Sequence, residues 1–187
     1  MNLMSPPKMT VDEFLVWAMT RPGKYELIDG VVFQMSPERV RHLKAKGAAY
    51  IALVSAVNRL GATAAACHVL PDGATVRIDK TTAYQPDVIV YSGPEQDDDS
   101  IEISTPLIIV EVVSPSSKKG DTGFKFAGYM GLPSLMHYIV LEADRKLIMH
   151  HRRVSETKFM SMPVENDILR LDPPGLEIPV ADLFGNA

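Results

Sequence analysis

The segment that most restricts the fold is residues 107–113, which read Leu-Ile-Ile-Val-Glu-Val-Val. A continuous apolar run rich in β-branched residues is typical of a central strand covered on both faces. Such cover requires other elements above and below the sheet, so the segment predicts a layered domain. The one charged residue in the run, Glu111, is costly to bury unless its carboxylate is paired, hydrogen-bonded or bound to a metal ion. Residues 107–113 therefore predict both the middle of the fold and a special role for Glu111.

Turn residues and hydrophobic periodicity predict the other elements in this order: a helix over 11–20, hairpin strands over 25–28 and 31–35, a long helix over about 36–60, strands over 67–70, 74–78 and 86–91, a helix over 121–130, and strands over 136–142, 146–153, 159–163 and 168–171. In the long helix, the apolar residues and glycine that recur at helical spacing predict its core-facing side; they are Val40, Leu43, Gly47, Ile51, Val54 and Val57. The order of elements predicts an α/β (α+β) fold, in which helices flank a mixed central β-sheet. The length of 187 residues fits one domain, residues 1–187.

A second carboxylate lies in the other strongly apolar strand. Asp87 follows Pro86 directly and begins the run that ends at Tyr91. If Asp87 and Glu111 lie on neighbouring strands and point to one face, their like charges require a cation between them. Carboxylate oxygens suit magnesium or manganese better than zinc. Which faces coincide depends on the register of the two strands, and the pattern leaves that open.

Two further polar residues are candidates for the same site. Glu26 lies in the first hairpin strand, and Lys125 lies in the helix that follows Glu111. A lysine beside metal-binding carboxylates can orient an attacking water and stabilise charge that develops on a phosphate, as in phosphodiester hydrolysis. The simpler alternative for Lys125 is a solvated lysine paired with Asp121 at i, i+4. Asp121 itself is expected to cap the helix.

Composition excludes several classes of protein. The chain contains no run of apolar residues long enough to span a membrane, and residues 1–8 do not resemble a secretion signal. Cys67 is the single cysteine, so an internal disulfide and a cysteine-rich zinc site are excluded and a cytoplasmic location is expected. The net charge of −4 argues against a protein that coats nucleic acid non-specifically, although metal-binding carboxylates also lower the formal charge.

At these residues the sequence resembles a known family. Pro86-Asp87 followed by Glu111-Val112-Val113 is similar to the PD-(D/E)xK pattern of restriction-endonuclease-like nucleases. The surrounding segments resemble the Uma-type restriction endonuclease family of bacteria over about Lys8 to Leu141. The segments that carry this resemblance are Tyr25–Gly30, Met35-Ser36-Pro37 with His42, Glu111–Ser117, Asp121, Lys125, Tyr129 and Leu132-Pro133.

The resemblance implies a restriction-endonuclease-like core and a magnesium-dependent nuclease, with manganese able to substitute. It implies that Glu26, Asp87 and Glu111 are the acidic site residues and metal ligands. One departure matters, because Val113 stands where the simple motif has lysine. Relatives of this type supply the lysine from the next helix, which points to Lys125 as the catalytic lysine.

Substrate contacts and partners are expected from the same resemblance. His42 is expected near the site in contact with phosphate, although alone it is more often a surface histidine. Tyr129 is expected to pack in the core with its hydroxyl near the rim of the site. The expected substrate is nucleic acid, with DNA favoured over RNA, and a homodimer is expected because two sites can then reach two strands. The basic start of the long helix predicts a solvated face that could also meet a nucleic-acid backbone; its residues are Arg39, Arg41, Lys44 and Lys46.

Two alternatives to a nuclease remain open at this point. One is a catalytically inactive nuclease fold that binds nucleic acid or a protein partner, since a fold does not establish a function. The other is a magnesium-dependent phosphohydrolase that acts on a small substrate. His137, His150 and His151 have no metal-ligand spacing and are expected on the strand surface.

Overall fold

The structure, a computed structural model, describes residues 8–61, 67–113, 119–164 and 167–185, without the side chains of residues 119–122. Residues 114–117 of the family signature and the side chain of Asp121 therefore lie outside the described residues. Within these ranges the elements are α1 (Val11–Met19), β1 (Tyr25–Ile28), β2 (Val31–Gln34), α2 (Val40–Leu60), β3 (Cys67–Pro71), β4 (Val76–Arg77), β5 (Ala83–Tyr84), β6 (Val88–Ser92), β7 (Pro106–Val113), α3 (Lys119–Met130), β8 (His137–Glu142), β9 (Leu147–Ser155), β10 (Lys158–Pro163), β11 (Ile168–Leu171), β12 (Leu176–Pro179) and a 3-10 turn at Val180–Leu183.

The central sheet has six strands in the order β10-β9-β8-β7-β6-β3. Strand β7 lies inside it, antiparallel to β6 and parallel to β8, and α3 connects the parallel pair. The sheet is therefore mixed. Six of the eight residues of β7 are buried, as expected for a strand covered on both faces. The predicted central strand and the predicted fold class are both confirmed.

Different elements pack on the two faces of the central sheet. Helix α2 and the β11–β12 hairpin pack on one face, against a core that includes Val88, Val110 and Ile139. Helix α3 packs on the other face, where Ile109 lies in a cluster with Tyr129. Residues that alternate along β7 therefore enter different cores, and the face of Ile109 is also the face of Glu111.

Over its first three turns helix α2 presents a different side to the core from the one its large apolar residues predict, whereas Val57 near its end packs against the core as predicted. Val40, Leu43 and Ile51 are exposed, and the buried side consists of Ala45, Lys46, Ala49, Ala52, Leu53 and Ala56. Both sides of this helix are apolar, and the small alanine side chains allow the helix axis to come closer to the sheet. The helix also begins at Val40 rather than at Ser36, with Arg39 at the N-cap position.

A smaller sheet, in the order β2-β1-β5-β4, brings Glu26 towards the central sheet. Asp29 and Gly30 form the predicted two-residue hairpin turn, with φ values of 50° and 78°. Positive φ at both central residues is the geometry that favours Asp-Gly in this turn. The short strand β5, which the sequence pattern does not predict, pairs with β1 and leads directly to Gln85 and Asp87.

His137 and His150 are buried, so the expectation of surface histidines is wrong for both. Their ring nitrogens Nδ1 and Nε2 lie 2.9 Å apart, and Nε2 of His137 lies 2.9 Å from the carbonyl oxygen of Pro173. Pro173 belongs to the turn of the β11–β12 hairpin, which covers this end of the sheet. His151, on the other face, is half-buried and stacks on Tyr138.

Among the described residues, no helix is long and apolar enough to cross a membrane.

Candidate active site

Asp87 and Glu111 lie opposite each other on neighbouring strands. Val88 pairs with Val110 in the antiparallel β6–β7 ladder, and one further step of this register places Asp87 across from Glu111. Directly opposite residues of an antiparallel pair point to the same face. The two side chains are also buried, with exposed fractions of 4% and 7%. The register that the sequence left open therefore brings the two carboxylates together.

Main-chain and ionic contacts fix the carboxylate of Asp87. Its Oδ2 accepts a hydrogen bond of 2.6 Å from the backbone N–H of Val112, and its Oδ1 lies 2.6 Å from Nζ of Lys46. The same ammonium lies 2.6 Å from Oε1 of Glu38 and 3.2 Å from Oδ2 of Asp72. Burial alone would lower the pKa of Lys46. The charges of Asp87 and Glu38, together with the hydrogen bonds that Lys46 donates to them, raise that pKa above the ordinary value.

Lys46 is the main site residue that the sequence analysis misses. It was assigned to a solvated basic face, yet only 7% of the residue is exposed. Its spacing of three residues from Ala49 and seven from Leu53 places it on the alanine side of α2, which is the buried side. Choosing that side of the helix would have identified Lys46 as a buried lysine that requires an acidic partner.

Glu111 forms a second cluster with Lys125, Glu26 and Tyr129. Nζ of Lys125 lies 2.7 Å from Oε1 of Glu26 and 3.2 Å from Oε1 of Glu111. Tyr129 donates its hydroxyl hydrogen to the same Glu111 oxygen at 2.9 Å, and the backbone N–H of Gln85 donates to Oε1 of Glu26 at 3.0 Å. The structure thus brings together all four residues predicted as catalytic.

Burial disfavours the charged form of both Glu111 and Lys125, but their neighbours change the outcome for the lysine. Burial raises the pKa of Glu111 to about 7, and the charges of Asp87 and Glu26 add to that effect, while Lys125 and Tyr129 oppose it. Burial disfavours the charge of Lys125 as well, but two carboxylates outweigh it and raise the pKa of the ammonium. Lys125 is therefore a nearly buried cation held by acids rather than a solvated lysine.

A close approach of α3 positions Lys125 and Tyr129. These residues are four apart and lie on one side of the helix, and Nζ of Lys125 lies 5.6 Å from the ring centroid of Tyr84. Gly128 permits this approach, because a Cβ at its position would lie 2.9 Å from Cε2 of Tyr84. The short strand β5, which carries Tyr84, is thus the surface against which α3 packs.

His42 and Tyr129 occupy supporting positions. His42 contacts Oε2 of Glu38 through Nδ1 at 2.8 Å and the carbonyl oxygen of Val112 through Nε2, so it links α2 to β7 beside Glu111. Tyr129 is completely buried and lies beneath Glu111 instead of at the rim. The substrate-binding roles of both residues stay predictions.

The donor chemistry of the site fits a hard divalent cation. In this region five carboxylates face three ammonium groups, namely Glu26, Glu38, Asp72, Asp87 and Glu111 against Lys24, Lys46 and Lys125. No group of three acidic, histidine or cysteine residues in the described ranges is placed closely enough to enclose a metal. Magnesium usually binds one or two carboxylates together with waters and substrate phosphates. The pair Asp87 and Glu111 meets that requirement.

Comparisons with known proteins agree with this geometry. The model of the Uma2 family, described as "Putative restriction endonuclease", matches residues 11–181, which contain every residue of the site. The chain belongs to the Uma2 family. An uncharacterized protein of Synechocystis, slr1290, is 25% identical over 180 residues, which cover 95% of this chain and 92% of that protein.

A solved structure supports the fold of this Uma2 chain. It is the crystal structure of "a putative nuclease belonging to DUF820" from Anabaena variabilis, with a TM-score of 0.70. The match covers 94% of this chain and 97% of that chain at 15% sequence identity. At this identity the likeness establishes the shared fold, which confirms the nuclease-like architecture expected from the sequence.

Proposed function

We propose that the protein is an endonuclease that hydrolyses phosphodiester bonds in DNA and depends on magnesium. The observation that carries the proposal is the pair of buried carboxylates, Asp87 and Glu111, opposite each other on β6 and β7 with Lys125 against Glu111. Lys46 and Lys125 each offset the charge of one of these carboxylates, and the oxygen donors of the pair suit magnesium or manganese. Membership of a family described as restriction endonucleases agrees with this chemistry.

The roles of the residues follow from their contacts. Asp87 and Glu111 would hold the metal, whereas Glu26, which shares the ammonium of Lys125 with Glu111, would position that lysine instead of serving as the third ligand that the sequence predicts. When bound, the metal lowers the pKa of a water molecule and polarises the phosphate. Lys125 gives two of its three N–H donors to Glu26 and Glu111, and no third partner lies among the described residues. The third donor is the group that would orient the attacking water or the phosphate oxygen.

The surface beside the site supports a nucleic-acid substrate. Arg39, Arg41 and Lys44 are exposed at the start of α2, next to His42. Basic side chains at this position can contact a phosphate backbone while the acidic site receives the scissile bond. A homodimer, in which two sites act on two strands, and a cytoplasmic location complete the proposal.

A second candidate function is a nuclease fold that binds nucleic acid or a protein partner without cleaving. The observation that favours it is the state of Asp87, since Val112 and Lys46 engage both of its oxygens. A carboxylate held in this way can keep its structural role after catalysis is lost. Metal binding without cleavage would support this candidate or a phosphohydrolase with a small substrate.

Cleavage of supercoiled plasmid in magnesium or manganese tests the proposed function. The wild-type chain should nick the plasmid and lose this activity with a chelator. Asp87→Asn and Glu111→Gln keep the side-chain size and should reduce the rate by about 100-fold or more. Asp98→Asn, an exposed residue of the loop before β7, is the matched control and should cleave normally. Wild-type protein that leaves both plasmid and RNA intact would refute the proposal.

A further inference from the structure

The two lysines of the site differ in how many of their donors the protein uses. An ammonium group has three N–H donors. Lys46 directs its Nζ to three carboxylates, Glu38, Asp72 and Asp87, at 2.6, 3.2 and 2.6 Å. Lys125 contacts two carboxylates among the described residues. Lys46 is therefore saturated by the protein, whereas Lys125 keeps a donor for another molecule.

The carboxylates around Lys46 surround its ammonium group at hydrogen-bonding distance. Charged N–H···O hydrogen bonds are about 2.7–2.9 Å long, and these contacts lie near that range. The three carboxylates come from separate parts of the chain. Glu38 precedes α2, Asp72 follows β3, and Asp87 precedes β6. Without a positive charge at their meeting point, these acids would repel one another in a buried position.

We propose that the ammonium group of Lys46 is a built-in cation of the active site, which occupies the meeting point of three carboxylates in place of a metal ion. It neutralises Glu38, Asp72 and Asp87, and it fixes Asp87 so that this carboxylate stays opposite Glu111. One exchangeable metal ion beside Asp87 and Glu111 then suffices. The proposal rests on the proposed function only in treating Asp87 as a metal ligand, because contacts within the chain itself set the place of the ammonium.

Truncation and chemical rescue test this proposal. Lys46→Ala removes the cation and leaves space for a small one, so the melting temperature should fall by about 10 °C. Addition of n-propylammonium, which carries the missing N–H donors, should restore most of that loss. Tetramethylammonium has the same charge without N–H donors and should restore little. Lys44→Ala, at an exposed lysine of the same helix, should melt like the wild type with either salt.

Each outcome decides for or against the built-in cation. If Lys46→Ala does not fold alone, its refolding yield with n-propylammonium against tetramethylammonium replaces the melting temperature. Equal rescue by both salts, or a variant as stable as the wild type, would overturn the proposal. If n-propylammonium rescues Lys46→Ala but the wild type cleaves no nucleic acid, the built-in cation is supported and the proposed nuclease function is refuted. If the wild type cleaves nucleic acid but n-propylammonium rescues Lys46→Ala no better than tetramethylammonium, the nuclease function is supported and the built-in cation is refuted.

Discussion

Tyr129, which is fully buried, donates a hydrogen bond of 2.9 Å to Oε1 of Glu111, which is 7% exposed. The same oxygen receives the ammonium of Lys125 at 3.2 Å. One turn of α3 therefore supplies both donors that stabilise the ionised form of Glu111. Any change in the position of α3 should alter the charge and the orientation of this carboxylate.

Tyr129→Phe removes the hydroxyl donor and leaves the ring in place. A hydrogen bond to a charged group contributes about 1.5–3 kcal/mol, so the free energy of unfolding should fall by about that amount above neutral pH. The loss should shrink at pH 5, because Glu111 with its pKa of about 7 is then protonated in the folded chain and the hydrogen bond no longer goes to a charged group. Urea denaturation at pH 8 and pH 5 measures the difference.

Tyr138→Phe is the matched control for this change. Tyr138 contacts the ring of Tyr129 at a centroid distance of 5.3 Å and is also buried, but its hydroxyl has no hydrogen-bond partner in the described part of the chain. Removal of an unpaired buried hydroxyl is neutral or stabilising. If both variants lose the same free energy of unfolding, the Tyr129–Glu111 hydrogen bond does not stabilise the protein.

Lys125→Met keeps the length of the side chain and removes its charge. If the third N–H donor of Lys125 acts on the water or the phosphate, the cleavage rate should fall by about 100-fold or more. Metal affinity should be retained or increased, because a positive charge next to Glu26 and Glu111 has gone. Plasmid nicking rates and manganese calorimetry measure the two effects.

Lys158→Met, at an exposed lysine of β10, serves as the control and should change neither quantity. Cleavage by Lys125→Met at the wild-type rate would exclude Lys125 as the catalytic lysine.

Gly128→Ala tests whether the close approach of α3 to β5 matters. The added Cβ would lie 2.9 Å from Cε2 of Tyr84 and 3.2 Å from Cγ2 of Ile78, so we expect a loss of about 1–3 kcal/mol in stability. Displacement of α3 should also weaken the contacts of Lys125 and Tyr129 with Glu111. Thermal unfolding and nicking rates should decline together.

Gly123→Ala in the same helix is the internal comparison. A Cβ there meets no described atom within 4 Å, so the better helix propensity of alanine should stabilise the chain by about 0.5–1 kcal/mol. A gain at both positions would mean that α3 does not depend on a close fit at Gly128.

His137 and His150 predict how stability depends on pH. Burial lowers the pKa of each histidine from 6.5 to about 4, and the neighbouring charge of Arg152 acts in the same direction. The unfolded chain therefore takes up protons near pH 6.5 that the folded chain refuses. Their contribution is complete above pH 6.5 and is lost as the pH falls towards 4.

Urea denaturation of the wild type and of a His137→Gln, His150→Gln double variant between pH 7.5 and pH 4.5 measures this contribution. The wild type should lose on the order of 1–3 kcal/mol per histidine across this range, and the double variant should show a flatter profile. Parallel profiles would contradict the prediction.

The sequence predicts the structure best where a residue pattern is compatible with only one local conformation. The buried run around Glu111 can only be an interior strand, and Asp29-Gly30 can only make a tight hairpin, so both are confirmed. The resemblance assigns Lys125 to the site, and the structure places its ammonium against Glu26 and Glu111. These features depend on local sequence and on a known family pattern.

The errors arise where the outcome depends on how elements pack. Helix α2 is apolar on two sides, and periodicity alone does not reveal that Ala49, not Ile51, faces the sheet. That error hid Lys46, whose burial depends on Glu38 just before the helix and on Asp72 and Asp87 from later segments. His137 is buried only because a hairpin more than 30 residues later covers it. The pairing of Asp87 with Glu111 likewise depends on the strand register, which hydrophobic alternation does not specify.

Calorimetric titration of the metal-free protein with manganese tests the central claim most directly. The account predicts one binding site per chain, lost in Asp87→Asn and in Glu111→Gln and unchanged in Asp98→Asn. Wild-type protein that binds no manganese, or variants at Asp87 and Glu111 that bind it as tightly as the wild type, would contradict the claim.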